Sequence, residues 1–164
     1  DLTLIQDAYA KNTPMGGTIN QEEDKSPTFL VWAISDPLGA PLQRVQIIKG
    51  WLEDGEHREK VFDVACSDDL SVDPNTHRCP DNDATVNLDD CSISSDKGDS
   101  EIKTFWKDPE FRQDQDAFYY SRVLENPTCR WSTWDAMRDN ESPRSDIPTT
   151  IQERAWSSPV WYTQ

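Results

Sequence analysis

Trp131 and Trp134 stand three residues apart in "TCRWSTWDA", with Arg130 beside them. Two indole faces next to a guanidinium could form a platform for a sugar or a peptide. The same spacing has a plainer reading. On a helical turn the two rings share one side, and Met137 continues the stripe, as a segment packed onto a core would require. A second group is acidic. Asp73, Asn75, Asp81, Asn82, Asp83, Asp89 and Asp90 crowd into "DPNTHRCPDNDATVNLDD". Calcium takes about six to eight oxygen ligands, often from alternating Asp and Asn, so it is the candidate ion here. The stretch lacks the central Gly and closing Glu of an EF-hand loop, and a solvated acidic loop is the alternative.

The third group is the four cysteines, Cys66, Cys79, Cys91 and Cys129. No two of them form a CxxC pair, and His57 and His77 do not sit at zinc-ligand spacing. An even count without metal spacing implies two disulfides and an oxidising compartment, periplasmic or secreted. Other chemistry finds no support. Ser157-Ser158 lacks the glycines of a nucleophile elbow. The adjacent pairs Asp68-Asp69 and Asp89-Asp90 would point to opposite faces of a strand.

The net charge of −15 argues against nucleic acid and against anionic membranes as partners. No apolar run is long enough to span a bilayer. The chain starts at Asp1 without a visible signal peptide, which reads as a processed or truncated end.

The elements that must position these groups are mostly strands. "DLTLIQDAYAKN" (1–12) spaces Leu2, Ile5, Ala8 and Tyr9 as a helix, with Asp1 as a cap, and residues 18–27 read as polar linker. Strands are expected at 28–35, 44–52, 59–66, 84–94, 101–106, 117–125 and 154–162. In 44–52, Val45, Ile47 and Lys49 fall on one side. "EDG" turns the chain after it. Pro159 has no N–H, so the last strand should lie at an edge or carry a bulge. About six or seven short strands separated by turns indicate an antiparallel β-sandwich of the immunoglobulin-like kind. The domain proper is 28–164, preceded by helix and linker at 1–27. It carries an acidic excursion at 67–100 and an insertion in the last hairpin at 126–154.

"PMGG", "FLVWAISDPLGAPLQRVQIIKGW", "KVFDVAC", "FWKDPEF", "AFYYSRVLENPTCRW" and "TIQERAWSSPVWYT" together resemble, in order and over nearly the whole chain, the C-terminal part of a bacterial family. That family is the domain of unknown function 3604. The resemblance implies a longer, exported parent protein whose N-terminal part is similar to the polymerase and histidinol phosphatase superfamily of metal-dependent hydrolases. Its opening Gly-Asp-Leu-His-x-His motif does not stand here. The resemblance therefore implies a non-catalytic C-terminal β-sandwich, accessory to a missing upstream domain. The isolated chain is expected to show no hydrolase activity and to hold no transition metal. The alternative is a free-standing extracellular binding module for carbohydrate or calcium. Residues 1–17 are expected to pack on the sandwich and to mark the joint to the missing domain.

Topology biases the cysteine pairing. If 59–66 and 117–125 end at the same pole, Cys66 reaches Cys129, and Cys79 closes its own loop with Cys91. The main rival joins Cys66 to Cys91 and Cys79 to Cys129.

Overall fold

The computed structural model describes residues 2–20 and 26–163. Among them the fold is mainly β. In chain order the elements are α1 (Leu2–Lys11), β1 (Thr18–Asn20), β2 (Thr28–Ile34), β3 (Leu42–Glu53), β4 (Glu56–Cys66), β5 (Glu101–Lys107), β6 (Ala117–Glu125), β7 (Thr128–Cys129), α2 (Trp131–Arg138), β8 (Thr150–Ile151), β9 (Arg154–Trp156) and β10 (Val160–Thr163).

The main sheet runs β1-β10-β6-β3-β4, with β9 also paired to β6, and β2 pairs with β5 in a second, two-stranded sheet. β3 and β4 form a hairpin closed by Asp54-Gly55, both at positive φ (53° and 80°), the backbone that a two-residue turn between twisted strands demands. Alternation then decides the faces. Val45, Ile47, Ala117, Tyr119 and Tyr162 point inward from the main sheet. They meet Phe29, Val31 and Trp106 of the second sheet. Phe29 packs 4.7 Å from Tyr119 and 6.0 Å from Trp106, centroid to centroid. The result is an open, sandwich-like arrangement of two sheets over one core.

Lys49 follows Val45 and Ile47 onto this inner face, as alternation expects. Its ammonium lies 2.6 Å from Asp108 Oδ2, and the two side chains are 4% and 0% exposed. Tyr119 donates to the same carboxylate oxygen at 2.9 Å. The Glu110 carbonyl accepts from Lys49 at 3.0 Å, and Asp108 Oδ1 accepts from the Glu110 amide at 2.8 Å. The cluster fastens the turn after β5 to β3 and β6. Burial first, then the Asp108 carboxylate, pushes the Tyr119 phenol far up, so it stays protonated and donating.

Several expectations are corrected. Residues 18–20 are not linker but strand β1, parallel to β10. Backbone bonds Gly16 N to Pro159 O (2.8 Å) and Trp161 N to Gly17 O (3.0 Å) lead into that pairing. The expected strand at 84–94 is reduced to a single bridge, Val86 to Ile93. Asn87 Oδ1 accepts from Asp89 N at 3.0 Å and Asp90 Oδ1 from Ser92 N at 2.9 Å, so side chains bend the backbone away from a ladder. The last strand breaks into β9 and β10 around Pro159, which has no N–H to give. The N-terminal helix forms, but none of its residues is buried, so it does not pack on the sandwich through Leu2, Ile5 and Tyr9. Asp1 as its cap lies outside the described residues.

The disulfides are also re-paired: Cys66–Cys79 and Cys91–Cys129, each with Cα atoms 5.7 Å apart. Neither the expected Cys66–Cys129 and Cys79–Cys91 pairs nor the rival set forms. The reason is local. After β4 the chain doubles back along that strand's open edge. The Asp63 amide donates to the His77 carbonyl at 2.9 Å, and the Cys79 amide to Asp63 Oδ2 at 2.8 Å. This return brings Cys79 beside Cys66 and leaves Cys91 to reach the insertion. Positive φ at Asp68, Asp69, His77, Asp83 and Cys91 makes the reversals.

Candidate functional site

The segment Cys129–Arg138 is a built feature rather than a slack loop. β7 and β8 pair at its base, and the Arg130 amide donates to Thr149 O at 2.9 Å. The carbonyl of Arg130 accepts the first turn of α2, and Thr133 Oγ1 donates to Thr149 O at 2.7 Å. Thr133 is the buried residue of the helix. The tryptophan stripe does not point to the core, contrary to the packing expectation: Trp131 is 71% and Trp134 37% exposed. The Arg138 guanidinium lies 5.9 Å from the Trp134 ring centroid. Arg130 is half-buried, and its Nε is buried without a hydrogen-bond partner.

The acidic residues are not gathered. Asp73 Oδ1 accepts from the amides of Asn75 (2.7 Å) and Thr76 (3.2 Å), and Asp81 Oδ1 from that of Asp83 (3.1 Å). Each therefore closes its own turn. These bonds hold the Asp73 carboxyl below its usual range, as the Ser92 hydroxyl and amide do for Asp90. Asp73, Asn75, Asp81, Asp83, Asp89 and Asp90 are all exposed, and among the described residues no group of three or more His, Cys, Asp or Glu is placed to hold a metal ion. Buried Asn82, between two of them, is instead a hub. It accepts from Gln43 (3.0 Å) and donates to Asp68 (2.9 Å) and Asn126 (2.9 Å), binding the excursion to β3 and to the end of β6.

The surface that sequence reasoning missed is the outer face of the main sheet. Trp161, Phe118 and Gly50 lie in one cross-strand row, and Trp156, Arg122, Gln46 and Asp63 in another. A Cβ on Gly50 would collide with the Phe118 ring, so the ring lies over that glycine. Phe118 is 5.3 Å from Trp161 and 6.4 Å from Tyr120, the latter pair nearly parallel. Trp156 and Trp161 are 58% and 47% exposed. The second row is polar. Arg122 Nε donates to Gln46 Oε1 at 2.7 Å, and Gln46 Nε2 to Asp63 Oδ1 at 2.6 Å. The signal was present as alternating Phe118, Tyr120 and Arg122, but alternation alone does not say which face is left bare.

A family model described as a protein of unknown function, DUF3604, matches residues 1–164. The chain belongs to the DUF3604 family. No match is found among curated proteins or among solved structures. For this DUF3604 chain the two disulfides point to an oxidising, extracellular-type environment. No helix among its described residues is long and apolar enough to cross a membrane.

One carboxylate in the DUF3604 chain is held against its preference. Burial, then Glu153 and Asp36, raises Glu125. A carboxyl raised in the folded state contributes stability that is complete below the unfolded value and is lost as pH rises through the folded one. Glu125→Gln is therefore expected to melt higher than the wild type at neutral pH. The difference should vanish near or below about pH 4, where both states are protonated. Thermal unfolding at several pH values checks this; a gain that persists in acid would show that charge is not the cause.

Proposed function

We propose that the chain is the non-catalytic, immunoglobulin-like β-sandwich of a larger exported protein, periplasmic or secreted, whose other part is related to metal-dependent hydrolases. The domain serves as an accessory element that packs on the rest of that protein. The observation that carries this reading is the outer face of the main sheet. A patch of Trp161, Phe118 and Tyr120 on the face that also carries Trp156 is an apolar surface of the kind that marks an interface. The bare stripe of α1, with Leu2 and Tyr9 exposed, adds to it. What supports the immunoglobulin-like part is the strand arrangement: β4, β3, β6 and β10 adjacent in one sheet, with β2 and β5 paired apart.

Hydrogen exchange tests the proposal by comparing this chain alone with the full-length parent. Amides of β9, β10 and α1 should exchange more slowly in the parent. Equal exchange on that face in the two proteins would remove the docking role.

A second reading, the extracellular binding module, is favoured by one observation: α2 presents Trp131 and Trp134 outward from a segment fixed by Cys91–Cys129.

A further inference from the structure

The two longest connections of the fold, 67–100 and 126–153, meet and are joined covalently by Cys91–Cys129. Between them lies an open cleft of about 530 Å3. Asp81 lines one wall, Thr150, Gln152 and Arg154 the other, and Gln43 and Arg44 come from β3. That volume falls among sites for small ligands, roughly 300–1,000 Å3. Long loops fixed on a rigid sheet are where proteins place recognition.

The cleft is rich in polar groups that are held in place but not used up. Gln152 Nε2 donates to Gln43 Oε1 (2.9 Å) and to Glu125 O (3.1 Å), and Gln43 Nε2 donates to Asn82. Both amides are thereby oriented, leaving Gln152 Oε1, the Thr150 hydroxyl and one Asp81 oxygen able to accept. The cations are under-neutralised. Arg44 is 24% exposed at its side chain, and its nearest carboxylate, Asp63, is 3.8 Å from one terminal nitrogen. That carboxylate also takes Gln46 (2.6 Å), the Cys79 amide (2.8 Å) and Arg78 (3.4 Å), and Arg44 Nε is buried, so the terminal nitrogens of Arg44 are the donors a ligand could meet. Arg154 is exposed, and its Nε donates at 3.4 Å to the Gln152 carbonyl. In a chain of net charge −15, two arginines with spare donors in one cleft need an explanation.

We infer that this cleft binds a carboxylate flanked by hydroxyls, the chemistry of a uronic acid. The planar guanidinium forks of Arg44 and Arg154 suit a carboxylate. The acceptors Asp81, Gln152 and Thr150 suit neighbouring hydroxyl donors. Asp81 on the wall and the acidic surface disfavour a phosphate or sulfate dianion. Arg44 and Arg154 lie in the cross-strand row next to Gln46, Arg122 and Trp156, at the margin of the outer sheet face, and a titration of the isolated chain reads the cleft without the docking role.

The test is an NMR titration of this chain, disulfides intact, with galacturonate, glucuronate, a galacturonate trimer, gluconate, glucose and inorganic sulfate. Uronates should shift the amides of 81–84 and 150–154, and glucose should shift neither segment. Arg154→Gln, at an exposed position, should keep the dispersed spectrum of a folded protein and weaken uronate binding roughly ten-fold. Arg154→Lys should recover part of it. Preference for the trimer assigns a polysaccharide as the source; equal binding of gluconate assigns a free sugar acid. Sulfate binding more tightly than uronate, glucose binding equally well, or no shifts with uronate at tens of millimolar would each overturn the inference.

Discussion

Asp108→Ala should cost this fold about 3–5 kcal/mol, the range for stripping one partner from a buried ion pair. The substitution leaves the Lys49 ammonium inside the sandwich with the Glu110 carbonyl as its remaining hydrogen-bond acceptor. It also removes the acceptor of the Tyr119 hydroxyl and the cap of the Glu110 amide. Domains are stable by about 5–15 kcal/mol in total, so the variant should sit close to unfolding. Its melting temperature should fall by roughly 6–20 °C, at about 2–4 °C per kcal/mol for a chain of this size. A control separates charge from packing. Lys49→Met combined with Asp108→Asn removes both charges and keeps an acceptor for the Glu110 amide, so it should recover more than half of the loss. Urea unfolding of the three proteins decides. A loss under about 1 kcal/mol for Asp108→Ala would mean that water reaches Lys49 and the pair behaves as a surface one.

The same cluster shows what the sequence made legible and what it did not. Alternation in "RVQIIKGWL" put Lys49 on the side of Val45 and Ile47, and the structure keeps it there. Nothing in the sequence named its partner, because Asp108 lies 59 residues away in a turn and meets Lys49 only once the two sheets face each other. Strands β2, β3, β4, β5 and β6 were readable because each carries a run of β-formers bounded by turn residues. The stretch 84–94 was misread because its alternating Val86 and Leu88 look like a strand, while the Asn and Asp side chains between and after them bond the backbone into turns. The spacing of Trp131, Trp134 and Met137 fitted a helical turn, but neither the helix α2 nor its facing was expected. The small Thr133, with its hydroxyl tied to Thr149 O, takes the buried position that the larger rings were expected to take. The cleft was illegible for the same reason as the disulfides. Both depend on how two long connections fold back, and positive φ at Asp and His residues leaves no pattern that spacing can reveal.

Removing Cys91–Cys129 should destabilise the protein more than removing Cys66–Cys79. The first bridge closes a separation of 38 residues and the second one of 13. In the chain-entropy model these are worth about 4 and about 3 kcal/mol. Packing widens the gap. Cys91 and Cys129 are both buried, whereas Cys66 and Cys79 are partly open, so serines at 91 and 129 would place hydroxyls in a dry site. The Cys91→Ser/Cys129→Ser variant should therefore unfold at a clearly lower urea concentration than Cys66→Ser/Cys79→Ser, with similar slopes. The two bridges also differ in what they hold. The short one closes the return along β4, which Asp63 secures with two further hydrogen bonds. The long one links the excursion to the insertion, where Asn126 also bonds Asn82 and the Lys97 carbonyl. Loss of Cys91–Cys129 should thus speed hydrogen exchange in 129–138 by local opening and weaken uronate binding in the cleft, while exchange in β3 and β6 speeds only as far as global unfolding carries it. A variant less destabilised than its short-loop counterpart, with unchanged exchange in α2, would show that the insertion is held by its backbone bonds to Thr149 and that the bridge is redundant.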